Sequence, residues 1–126
     1  MIPYHTSRLS KNQLELDLTQ LTLLSSNDPS FKNQILGMLH EQAKIVVNEL
    51  ESALSSANRK AIADTAHKFK SSVNIVSQEA HNQLKVLERD VRAGESISHL
   101  HAITSKSISL IKLLASSIEQ ELAKSS

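Results

Sequence analysis

The sequence predicts an all-α protein: an antiparallel four-helix bundle with one short additional helix at its amino end. Three observations lead there. The 126 residues include only 2 Gly and 2 Pro, so little interrupts long helices. Aromatic residues make up 2% of the chain, which gives little encouragement to a sheet. Apolar residues recur at three- and four-residue spacing through successive segments, the period that lays one stripe along a helix.

Taken in order, residues 1–10 are polar and lack a period, and are read as an irregular arm; residues 11–126 form a single bundle domain of a size that can bury one core. The first helix is expected from near Lys11 on Leu14, Leu18, Leu21 and Leu24, closed by Ser25-Ser26-Asn27-Asp28-Pro29. Asn27 or Asp28 then caps a long second helix, with Pro29 in the first turn where its missing N–H costs nothing. Its inner face is read along Phe31, Ile35, Met38, Gln42, Ile45 or Val46, Glu49 and Ala53, widened by Leu39, Leu50 and Leu54. Ser55-Ser56-Ala57-Asn58 is the next break.

The third helix is expected from about Arg59 to Ser77, with Ile62, Ala66, Phe69, Val73 and Val76 turned inward. A polar joint, Ser77-Gln78-Glu79, leads to a fourth helix whose inner side is Ala80, Leu84, Leu87 and Val91. Gly94 can take the left-handed conformation that ends a helix. The last helix, about Ser96 to Ala123, repeats Leu100, Ile103, Ser107, Ile111, Leu114, Ile118 and Leu122. Its serines at 105, 107, 109, 116 and 117 fall largely on the outer side and read as solvated surface.

Composition narrows the function classes. The 14 Lys and Arg are interspersed with 13 Asp and Glu, and no basic stripe suggests nucleic acid as a partner. The absence of cysteine excludes disulfides, thiolate zinc sites and cysteine catalysis. The amino terminus lacks the apolar core of a signal peptide and no run reaches membrane-spanning length, so a cytoplasmic protein without membrane contact is expected. Polar outer faces suggest a monomer.

His67 is the residue that asks for a chemical role. At roughly 100° per residue, its side chain points about 140° away from the centre of the Ile62 to Val76 stripe, hence toward solvent. Lys70, three residues on, is its neighbour on the helix surface, whereas Lys68 projects to another side. Ala63 and Ser71, four residues away in either direction, are small, and Asn74 and Gln78 continue that face. A free imidazole, with a pKa of about 6.5, is mostly neutral near pH 7 and has a ring nitrogen able to attack phosphorus.

A metal site is the competing chemistry. Asp64 and His67 share a helical face, but the pair is single and points outward, where a bundle di-metal centre needs two inward Glu-x-x-His pairs and further carboxylates. His99 and His101 diverge on their helix, and His5, His40 and His81 have no ligand partners in the sequence pattern. No metal site is expected.

The segment Ala66-His67-Lys68-Phe69-Lys70-Ser71-Ser72 resembles the central motif of the histidine-containing phosphotransfer domains of two-component phosphorelays: an alanine-histidine pair, a lysine three residues later, then small residues. Asn27-Asp28-Pro29-Ser30-Phe31 is similar to that family's opening of its long second helix, and Leu84-Lys85-Val86-Leu87-Glu88 to its following helix. The resemblance implies a carrier without kinase activity. His67 would accept and donate the phosphoryl group, Lys70 would stabilise its charge, and Ala63, Ser71, Asn74 and Gln78 would meet the partner. That partner would be the receiver domain of a response regulator or hybrid histidine kinase, supplying the aspartate and a magnesium ion, with no cofactor held by this chain. The family commonly has glycine where Ser71 stands, and a glycine in the joint near Val76 to Ala80 that this chain lacks. The alternative function is a helical adaptor without phosphotransfer, which would be indifferent to His67→Gln.

Overall fold

The computed structural model describes residues 14–124, and over them it is all helix and connecting loop. A short helix, α1 (Thr19–Leu24), precedes α2 (Pro29–Ser55), α3 (Arg59–Val73), α4 (Gln78–Arg92) and α5 (Ile97–Lys124). The loops between the four long helices are so short that consecutive helices must run antiparallel. α2 packs on α3 and α5, and α4 packs on the same two, which closes the bundle. The irregular arm read at residues 1–10, and the start of the first helix near Lys11, lie outside the described residues. Among those described, no helix is long and apolar enough to cross a membrane.

Local chemistry sets the starts of α2, α3 and α4. Asp28 caps α2 by accepting from the backbone N–H groups of Ser30 (3.0 Å) and Phe31 (3.4 Å), with Pro29 following in the first turn. Asn58 accepts from Ala61 N–H at 3.1 Å to begin α3, and Ser77 accepts from Ala80 N–H at 3.0 Å to begin α4. Gly94 takes φ 77° after α4, the left-handed turn for which glycine carries no Cβ penalty.

The core is the expected one on three helices. Ile62, Ala66, Phe69, Val73 and Val76 are buried, as are Ala80, Leu84, Leu87 and Val91, and Leu100, Ile111, Leu114 and Ile118. On α2 the face is turned only in part from the expected one: Leu39, Val46, Leu50 and Ala53 lie inward as read, whereas Gln42 and Glu49, read inward, are exposed. Leu36, Leu39, Ala43, Val46, Val47, Leu50 and Ala53 are buried, whereas Phe31, Met38 and Ile45 stand on the outside. Apolar residues cover so much of this helix that two stripes share the helical period, and contact with α3 and α5 selects between them.

Three further expectations are corrected. Residues 14–18 are not helical: Leu14 N–H donates to Ser117 Oγ at 2.7 Å and Asp17 N–H to the Val76 carbonyl at 2.9 Å, which ties this segment across the bundle end. α3 stops at Val73 because the N–H groups of Val76 and Ser77 turn back to the Val73 carbonyl and Ser77 then caps α4, making Gln78 helical rather than part of a joint. Ser117 is buried rather than solvated, accepting from Leu14 N–H, and Ser107, which the sequence places both in the inner repeat and among the outer serines, is buried too, accepting from Gln83 Nε2 at 3.0 Å.

Candidate functional site

α3 supplies the candidate site. Its inner stripe, anchored by the buried ring of Phe69, fixes the rotation of the helix and so turns the next face outward. On that face the His67 side chain is 61% exposed. Lys70 is less so, at 23%, because it lies on the shoulder of α3 that leans toward α4.

Both side chains meet Glu88 of α4. Nδ1 of His67 lies 3.0 Å from Glu88 Oε2, and Lys70 Nζ donates to Oε1 at 2.7 Å. Arg92, one turn further along α4, donates from Nε to Oε2 at 3.1 Å and from Nη2 to Asp64 Oδ1 at 3.3 Å. The Glu88 side chain is largely buried, 13% exposed. The hydrogen bond from Lys70 holds its carboxyl below the usual carboxylate range, against an opposing push from burial and with help from Arg92. Glu88 is therefore ionised near neutral pH and can only accept hydrogen bonds. Nδ1 of His67 must carry the proton, which leaves Nε2 of a neutral ring unprotonated. An exposed imidazole with its tautomer fixed in this way can act as a nucleophile through Nε2.

The remaining predicted residues do not all share this face. Ala63 is only 1% exposed, on the same α4-facing shoulder as Lys70, so its methyl group is core. Ser71 and Asn74 are exposed, Ser71 in the last turn of α3 and Asn74 at its C-cap. Gln78 is exposed too, but it opens α4 and donates to Asn82 at 3.0 Å. His81 serves the fold, since its Nδ1 lies 2.8 Å from the Lys70 carbonyl, one of the last-turn carbonyls of α3 that lack a helical donor. Asp64, set beside His67 by sequence, is held by Lys60 at 2.7 Å as well as by Arg92.

Glu88 and Arg92 join the candidate site in the structure and were not among the residues expected there from the sequence. Glu88 lies 21 positions from His67, and only the packing of α4 on α3 joins them. The available signal was its place beside Leu87, on the edge of the stripe formed by Leu84, Leu87 and Val91. Compared with known proteins, the chain matches no family model, no curated relative and no solved structure.

Proposed function

We propose that this chain is a phosphorelay carrier that holds a phosphoryl group on Nε2 of His67, taking it from one receiver-domain aspartate and passing it to another. The observation that carries the reading is the His67–Glu88 hydrogen bond, which leaves an exposed imidazole with its free lone pair on Nε2. In the forward step that lone pair attacks the phosphorus of an aspartyl phosphate. The P–N bond forms as the P–O bond to the aspartate breaks, and the carboxylate leaves with the bonding electrons. No proton has to leave the ring. It keeps Nδ1–H and gains positive charge, which lies against Glu88. Transfer to the second receiver is the same step reversed.

Phosphoryl transfer is mostly positioning and charge neutralisation. Lys70, one turn from His67, is the cation placed to meet the phosphoryl oxygens, exchanging Glu88 for a second anionic partner. The receiver supplies its magnesium ion and the aspartate. The reading takes the chain to act as a cytoplasmic monomer with no kinase activity of its own. The adaptor reading has one observation in its favour, the outward stripe of Phe31, Met38 and Ile45 on α2.

The test is incubation with each receiver domain encoded in the same genome, charged with acetyl phosphate, followed by detection of acid-labile phosphate. Label on the wild type and none on His67→Gln is expected. A folded wild-type chain left unlabelled by every receiver overturns the proposal.

A further inference from the structure

We infer that the notch between α3 and α4 beside His67 is a docking site for acidic side chains on the partner, an inference that rests on the relay reading and adds a partner surface to it. The notch has a volume of about 570 Å³ and is lined by four cations, Lys70, Lys85, Arg89 and Arg92, around one carboxylate, Glu88, with Asn82 at its edge. Glu88 is fully engaged by His67, Lys70 and Arg92. It has little capacity left for neutralising the rest. Arg89 gives Nε to its neighbour Asp90 at 3.0 Å and is otherwise open, its side chain 71% exposed. Lys85 is exposed and makes no hydrogen bond or ion pair among the described residues.

The fold sharpens a charge asymmetry that a net charge of +1 hides. α3 carries Arg59, Lys60, Lys68 and Lys70 against the single carboxylate of Asp64, whereas residues 14–55 carry six acids and two lysines. The cationic excess therefore lies on the helix that carries the imidazole. A partner that brings an aspartyl phosphate to His67 meets the notch alongside, since Glu88, the hydrogen-bond partner of Nδ1, and Lys70 both line it. Lys85 and Arg89 lie outside the His67, Glu88 and Lys70 triangle, so their charge acts on approach and docking rather than on the reacting atoms. A field of this kind raises the encounter rate and selects partners of opposite sign, and it weakens with salt.

The experiment measures phosphotransfer from acetyl-phosphate-charged receiver domains as a function of receiver concentration. For the receiver that labels the wild type, Lys85→Glu/Arg89→Glu should raise the half-saturating concentration about tenfold at low ionic strength, the loss falling there rather than on the saturating rate. Added salt should raise the wild-type value and flatten the difference between the two proteins. Lys106→Glu/Lys112→Glu makes the same change in net charge on α5 and should move the value by less than about twofold. The milder Lys85→Gln/Arg89→Gln should shift it in the same direction as the reversal, which guards against a folding defect. Equal half-saturation in the notch and α5 variants overturns the docking site and leaves the relay standing. Failure of every receiver to label the wild type removes both.

Discussion

Nδ1 of His67 and Oε2 of Glu88 stand 3.0 Å apart, and because the carboxylate can only accept, the imidazole proton is assigned to Nδ1. Nitrogen NMR of the neutral ring should show an unprotonated Nε2. Glu88→Gln, whose amide oxygen can still accept, should keep that tautomer; Glu88→Leu should release it to a mixture. Identical spectra for all three proteins would contradict the assignment.

Lys70→Ala should slow phosphotransfer roughly tenfold, about 1.4 kcal/mol of transition-state stabilisation, with unchanged helicity by circular dichroism. Lys68→Ala, on another side of α3, should stay within about twofold in the same single-turnover assay. An unaltered rate for Lys70→Ala would remove that residue from the site.

Acid should weaken the α3 to α4 contact. The Glu88 carboxyl is held below the ordinary glutamate value of 4.5, chiefly by the hydrogen bond from Lys70. Below that value the unfolded chain binds more protons at this position than the folded one. The stabilisation is therefore fully present above pH 4.5 and is lost as pH falls through the lower folded value. In urea titrations the stability advantage of wild type over Glu88→Gln should shrink on acidification below pH 4.5. A constant difference would show that the carboxylate contributes nothing through its charge.

Ser117→Ala should destabilise the fold by about 1–3 kcal/mol, since it strands the buried N–H of Leu14 without an acceptor. Ser109→Ala, at an exposed position on the same helix, should cost less than about 0.5 kcal/mol. Urea midpoints at unchanged slope read both. Equal midpoints would show that water replaces the Ser117 hydroxyl.

The helical class, the four long helices and most of the core were legible because period and caps are local properties. Ile62 to Val73 could be read inward because polar residues fill the opposite side of α3, which leaves one phase for the stripe. α2 offered two phases, and only its neighbours choose Leu36 and Ala43 over Met38 and Ile45. Leu14 and Leu18 kept a helical spacing while lying in a non-helical segment, since the hydrogen bonds that hold it come from Ser117 and Val76, far along the chain. His67 and Lys70 were legible as surface neighbours on one helix. Glu88 was not, because the ion pair that unites the three depends on the register of α4 against α3.

Phosphorylation of His67 at Nε2 is read most directly by phosphorus NMR of the chain after reaction with a receiver charged at its aspartate. One phosphoramidate signal is expected, coupled to Nε2 of His67 and absent from His67→Gln. A phosphoryl group on any other residue, or a signal that survives in His67→Gln, would contradict the carrier role.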